Sequence, residues 1–193
     1  MRPLLCALAA LAASVPALAQ PVPARAGFPV QKGSVSLDGS ANVSSSRVGD
    51  GDRVTFVSVQ PSALFFVADG LALGASASLS RSSFGDGLSA TSYGVGPTAA
   101  YFFGGPGRTV YPFVSAGASV ARSSFSGDPG LDSDATTLLG AEVSGGGVFM
   151  LSRTVGLSGE AYYQAQSATS GDFDDSVGAN ALGLRAGFVA FLF

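Results

Sequence analysis

The chain has 193 residues, enough for one domain or at most two, and no charge run, linker or change in composition marks a second domain. Its formal net charge is −3 and its ten basic residues are scattered singly, so we expect no binding to nucleic acid. The chain contains no histidine, which excludes a His-based hydrolase and removes the commonest general base and metal ligand. We therefore expect no catalytic residues, no cofactor and no metal site.

The first residues have the pattern of a secretory signal peptide. Residues 1–19 contain Arg2, an apolar run too short to span a bilayer, and the small-residue cleavage pattern Ala17-Leu18-Ala19. Cys6 lies within this segment, so we expect the mature chain to have no cysteine. Residues 20–33 are rich in proline and show no periodicity, which predicts a flexible N-terminal periplasmic tail.

From residue 34 onward, apolar and small polar residues alternate. In residues 71–80, Leu or Ala occupies every odd position, and Ala, Gly or Ser occupies every even one. A period of two gives a strand with one apolar face and one polar face. Strands of this kind are predicted at about residues 34–44, 53–66, 71–80, 91–103, 109–121, 136–150, 154–166 and 179–193. The pattern therefore predicts an all-β fold, an eight-stranded antiparallel up-and-down transmembrane β-barrel over residues 34–193.

The connections between the predicted strands alternate in length. Links after strands two, four and six are short, whereas the others are longer, polar and rich in Asp and Gly. Short periplasmic turns and longer outer loops are typical of bacterial outer-membrane barrels. Aromatic residues near the short turns predict a girdle at one membrane interface, formed by Phe65, Phe66, Tyr101, Phe102, Phe103, Tyr111, Phe113, Phe149, Phe191 and Phe193. With the secretion signal, this pattern predicts a location in the outer membrane of a Gram-negative bacterium.

On these features the chain resembles the small eight-stranded outer-membrane barrels, the group that includes OmpX and the membrane domain of OmpA. The resemblance rests on strand number, loop asymmetry, the strand ends Pro61–Phe65 and Pro97–Tyr101, and the aromatic C-terminus. It implies contact with outer-membrane lipids and insertion by the outer-membrane assembly machinery. In this group the machinery reads apolar residues at alternate positions of the last strand, here Val189, Phe191 and Phe193. The resemblance implies no catalytic residue.

Four charged residues are expected to meet inside the barrel. Asp38, Glu142 and Glu160 fall on the polar faces of strands one, six and seven, and Arg185 lies on strand eight. Buried carboxylates need a cationic or hydrogen-bonding partner, and strand eight neighbours strands seven and one in a closed barrel. Counting back by twos from Phe193 turns Arg185 toward lipid, which would cost about 2–4 kcal/mol near the midplane. Either a bulge lies between Arg185 and Val189, or Arg185 snorkels at the lipid boundary. We favour the bulge, which predicts an ion-pair network in the lumen.

Three functions remain open from the sequence. The first is a structural or surface-interaction role, with outer loops that contact an unidentified extracellular partner. The second is a narrow pore for ions or small solutes, because the inward Ser, Gly and Ala side chains leave space in the lumen. The third is a secreted soluble β-sandwich, in which the apolar face would be buried between two sheets. Aspartates of the outer loops are interpreted as solvated charge rather than a calcium site.

Overall fold

The computed structural model describes residues 27–47, 53–84, 88–126, 136–169 and 177–193. It forms a closed antiparallel barrel in which each strand pairs with the next and β1 pairs with β8. The strands are β1 (Val35–Arg47), β2 (Arg53–Ala68), β3 (Leu71–Ser83), β4 (Ser89–Phe102), β5 (Val110–Ser126), β6 (Thr136–Met150), β7 (Val155–Thr169) and β8 (Val177–Leu192). The predicted all-β, eight-stranded, up-and-down barrel is confirmed, and the β-sandwich alternative is wrong because the strands form one closed sheet.

The predicted signal peptide (residues 1–19) and the loop aspartates lie outside the described residues. Within the described part of the chain, no helix is long and apolar enough to cross a membrane.

The outer surface of the barrel is an apolar belt made by alternate residues of the strands. Leu73, Val114 and Leu157 point outward, and 47%, 48% and 40% of their surfaces are exposed. Their neighbours along each strand point into the lumen, where Ser and Gly predominate. The predicted faces of β1 to β7 are therefore confirmed.

The outward face predicted for Val189 and Phe191 of β8 is the reverse of the observed one, whereas Arg185 points inward as expected. Leu184 and Phe188 point outward, whereas Arg185, Val189 and Phe191 point inward. The pairing of β7 with β8 runs without a register shift along the whole described ladder, so the predicted bulge between Arg185 and Val189 is wrong. The error came from counting from Phe193 as a lipid-facing residue. The strand ends at Leu192, which pairs with the outward Val35, and Phe193 lies beyond the ladder.

A cluster of buried side chains closes the barrel at the end that carries the short turns. Half of the predicted aromatic girdle belongs to it, because Phe66, Phe102, Tyr111, Phe113 and Phe191 point into the lumen. The ring centroids of Phe66 and Phe102 are 5.4 Å apart, and those of Phe102 and Phe113 are 5.3 Å apart, which are favourable separations for aromatic pairs. We call these five residues the aromatic plug. An interface girdle at this end is thus formed only by the outward members of the predicted set.

Part of the predicted flexible tail packs against the aromatic plug. Val30 is fully buried in the cluster, and its carbonyl oxygen accepts a hydrogen bond of 2.8 Å from the Gly70 amide. The amide of Gly33 donates to the Phe66 carbonyl oxygen at 2.8 Å, and the amide of Lys32 donates to Asp69 Oδ1 at 2.7 Å. The prediction of a flexible tail up to residue 33 is therefore wrong for residues 28–33, which cover the short-turn end of the barrel.

Two prolines interrupt the strand ladders without shifting the register. The β2–β3 pairing passes from Val59↔Leu79 to Ser62↔Ser76, and Pro61 lies in the interruption. The β4–β5 pairing is interrupted in the same way beside Pro97. Proline has no amide hydrogen to donate, so it removes a ladder hydrogen bond. The outward orientation of both rings keeps the apolar belt continuous at these positions.

Candidate functional site

The centre of the lumen holds one guanidinium group between two carboxylates. Arg185 of β8 donates from Nη2 to Glu142 Oε1 of β6 at 2.7 Å and from Nε to Glu160 Oε1 of β7 at 2.7 Å. Glu160 and Arg185 are directly paired across the β7–β8 ladder, so register brings them together. The three side chains are between 15% and 25% exposed, and such partly desolvated, charge-assisted bonds are stronger than surface ion pairs.

Uncharged side chains complete this network. Arg185 Nη1 donates to Gln60 Oε1 at 2.8 Å, which ties β2 to β8 across the lumen. Ser144 donates to Glu160 Oε2 at 2.6 Å and shares a 2.7 Å hydrogen bond with Ser115. The guanidinium carbon of Arg185 also lies 4.9 Å from the ring centroid of Tyr162, within cation–π range. The network therefore links β2, β5, β6, β7 and β8 through the middle of the barrel.

Of the four predicted residues, the structure brings Glu142, Glu160 and Arg185 into contact. Asp38 lines the same cavity from β1, but it forms no ion pair with Arg185 within the described part of the chain. Gln60, Ser115, Ser144 and Tyr162 were not predicted as members. Their inward orientation follows from the alternation, but the contacts depend on registers that alternation within one strand does not set.

Two cavities adjoin the charged network, and their linings overlap at residues such as Ser119 and Gln164. Below it, toward the aromatic plug, a cavity of about 140 Å³ is lined by residues that include Ser62, Leu64 and Phe113. Above it, toward the long connections, a cavity of about 590 Å³ is lined mainly by hydroxyl and amide groups, such as Ser58, Ser80, Ser119, Gln164 and Gln166. We call this larger space the outer chamber. Going from the outer chamber toward the short turns, the charged network comes first and the aromatic plug second.

The arrangement of these groups favours structure over acid–base catalysis. Both glutamates accept hydrogen bonds from Arg185, and Glu160 also accepts from Ser144, so their oxygens are engaged. A general acid or base must be free to reach a substrate proton at hydrogen-bond distance. No group of three or more potential metal ligands occurs among the described residues. The network holds five strands together across the middle of the lumen.

Comparisons with known proteins identify the fold. No protein-family model matches the sequence, and no curated protein sequence matches it. Neisserial surface protein A superposes with a TM-score of 0.51 at 23% identity, covering 81% of this chain and 95% of that one. The outer membrane protein OprG from Pseudomonas aeruginosa superposes with a TM-score of 0.50 at 14% identity, covering 86% and 99%. With its eight strands and apolar belt, the chain has the fold of the small eight-stranded outer-membrane β-barrels.

Proposed function

We propose that the protein is a non-catalytic β-barrel of the outer membrane of a Gram-negative bacterium, with a structural or surface-interaction role. The observation that carries this proposal is the combination of an apolar belt outside with a lumen blocked by packed side chains. The belt suits solvation by outer-membrane lipids. The long connections would then face the exterior, where an extracellular partner would contact them, and the short turns would face the periplasm.

The narrow-pore alternative is less well supported by the lumen. A solute would have to pass both the Arg185 network and the aromatic plug, and Phe66 and Phe191 of the plug are fully buried. Eight-stranded barrels have an interior that side chains can fill. We therefore favour a role that needs no flow through the barrel.

We also propose that the outer-membrane assembly machinery recognises Val189, Phe191 and Phe193 in the terminal strand. The first two side chains are buried inside the folded barrel. Recognition would therefore precede closure, while β8 is still an extended segment with both faces accessible.

Conductance measurements test the proposed closed lumen. Refolded protein in a planar bilayer is expected to produce no discrete current steps, because the network and the plug occupy the path. An electrophoretic mobility shift between boiled and unboiled samples shows that the same preparation is folded. Reproducible steps from folded protein would overturn the proposal in favour of the pore.

A charge placed on the apolar belt tests the membrane location. Val114→Lys is expected to lower the free energy of unfolding from lipid vesicles by about 2 kcal/mol, because an ammonium group would enter hydrocarbon. Leu151→Lys is the matched control, since Leu151 is exposed in the turn after β6 and its substitution is expected to change little. Equal effects of the two lysines would contradict lipid contact at Val114.

A further inference from the structure

The wall of the barrel is incomplete where the first strand meets the last. β1 pairs with β8 over six residues, from Val35↔Leu192 to Ser40↔Gly187, whereas β1 pairs with β2 over thirteen and β7 with β8 over fourteen. Continuing the same register would join residues 41–47 to residues 180–186. Those pairs are absent although both segments belong to the described strands. We call this opening the seam gap. It lies at the end of the barrel that holds the outer chamber.

Side chains that flank the seam gap are more exposed than the rest of the apolar belt. Val43, Leu182 and Leu184 are 73%, 81% and 85% exposed, compared with values of 40–48% for Leu73, Val114 and Leu157. A residue within the closed sheet has a neighbouring strand on both sides, and these strands cover part of its side chain. Val43, Leu182 and Leu184 have a neighbouring strand on one side only, so more of each side chain is exposed. The backbone amides and carbonyls beside these apolar side chains have no hydrogen-bonding partner across the seam gap. In hydrocarbon, unpaired backbone amides and carbonyls are costly, so a ligand that brings a hydrogen-bonding group close to this opening is favoured.

A cavity at the lower edge of the seam gap crosses the barrel wall. It has a volume of about 720 Å³, within the range of small-molecule sites. Outward residues such as Ala41, Ala186 and Phe188 line it together with inward residues such as Ser40 and Gln60. The outer chamber is lined by Ser40, Ala41, Gln60 and Ala186 as well, so the two spaces adjoin through the wall. The last intact rung below the passage is Ser40↔Gly187, and the small residues Ala41 and Ala186 occupy the next, unpaired rung.

The chemistry of the two spaces differs, and together they match an amphiphile. The outer side of the passage is apolar and adjoins the membrane, so it suits a hydrocarbon chain. The inner side is rich in hydroxyl and amide groups, which suit an uncharged hydrogen-bonding head. Arg185 is the charged residue among those that line the chamber, and its guanidinium already donates to Glu142, Glu160 and Gln60. Its charge is therefore engaged, and an anionic head would lose its hydration without gaining a free cation.

We propose that the seam gap is a lateral binding site for an uncharged single-chain amphiphile that enters from the surrounding lipid. Its head occupies the outer chamber near Gln60 and Ser40. Its hydrocarbon chain leaves through the wall between Ala41 and Ala186 and lies along Phe188. The site is independent of the closed lower lumen, since the ligand enters and leaves on the membrane side of the network.

A photoreactive probe tests this site in lipid vesicles. The probe is 1-dodecanol with a diazirine next to the hydroxyl group, and cross-linked residues are mapped by mass spectrometry. Cross-links at the inward residues Ser58 and Gln164 are expected, and cross-linking at the outward Leu73, which lines neither cavity, measures simple partitioning into lipid. A dodecanoate probe with the same diazirine is expected to give fewer inward cross-links. Wild-type cross-links confined to outward residues would overturn the proposal.

Closing the seam gap supplies the decisive comparison. In a Cys6→Ser background, Ala41→Cys with Ala186→Cys allows a disulfide at the next rung of the ladder, and its oxidation is expected to lower inward cross-linking about tenfold. The matched control is Ala99→Cys with Ala116→Cys, a directly paired outward rung, which is expected to have no effect. Unchanged inward cross-linking after closure would overturn lateral entry. A disulfide-linked dimer without inward cross-links would also overturn it, and would indicate strand pairing between two copies.

A second pair of variants closes the gap without a disulfide. Ala41→Phe with Ala186→Phe fills the passage with two rings and is expected to lower inward cross-linking to the same extent. Ala99→Phe with Ala116→Phe adds the same rings to an intact part of the wall and is expected to leave it unchanged. If the filled passage admits the probe as well as the wild type does, the proposal fails.

Discussion

Replacing Arg185 with methionine is expected to lower the free energy of unfolding by about 3–5 kcal/mol, because it leaves Glu142 and Glu160 without their shared cation. The two carboxylates are 25% and 15% exposed, so water compensates them only in part. They would also repel each other across the narrow lumen. Urea unfolding in lipid vesicles, followed by the electrophoretic mobility of the folded barrel, measures the change.

A triple variant separates the lost cation from lost packing. Arg185→Met combined with Glu142→Gln and Glu160→Gln is expected to recover most of the stability, since a neutralised network has no unpaired charge. Arg108→Met is the control, because Arg108 is exposed and its loss should change little. A single variant as stable as wild type, or a triple variant no better than the single one, would contradict a stabilising role for the ion pairs.

The outward and inward faces of seven strands could be predicted from sequence because each strand contains enough alternating residues to fix its own register relative to the membrane. In β8 the alternation is ambiguous, since Val189 and Phe191 on one face are as apolar as Phe188 and Leu192 on the other. The prediction therefore relied on the C-terminal residue. Because Phe193 was taken as lipid-facing, Val189 and Phe191 were assigned to the wrong face of β8. The inward charge of Arg185 was the better guide, because an unpaired guanidinium in lipid costs more than an aromatic ring in the lumen.

Contacts between strands were harder to predict than faces. Glu160 and Arg185 meet because they share a rung of the β7–β8 ladder, and that register depends on a long connection whose length does not specify one turn type. The aromatic plug was missed for a related reason. Aromatic residues near a strand end occur both in interface girdles and in packed interiors, and Phe65 and Phe66 are adjacent members of the two classes. The packing of Val30 against the aromatic plug could not be predicted, because the proline-rich segment that contains Val30 shows no periodicity.

Truncation of one plug residue shows how a packed interior differs from a lipid-facing surface. Phe66→Ala is expected to lower the free energy of unfolding by about 4 kcal/mol, near the middle of the range for buried Phe→Ala substitutions. Phe66 is fully buried, and its ring contacts those of Phe102 and Phe191, with centroids 5.4 Å and 6.4 Å away. The surrounding β-strands hold these neighbours in place, so the cavity left by the ring cannot collapse fully.

The neighbouring residue gives a matched control on the same strand. Phe65 points outward and is 50% exposed, and Phe65→Ala is expected to cost about 2 kcal/mol, the transfer free energy of the lost ring surface. Acyl chains are fluid and fill the space left outside, whereas protein interiors are close-packed and do not. Unfolding of both variants in urea from the same vesicles gives the comparison. If Phe65→Ala cost as much as Phe66→Ala, the inner cluster would add nothing beyond hydrophobic transfer, and it could not be the packed seal of the short-turn end.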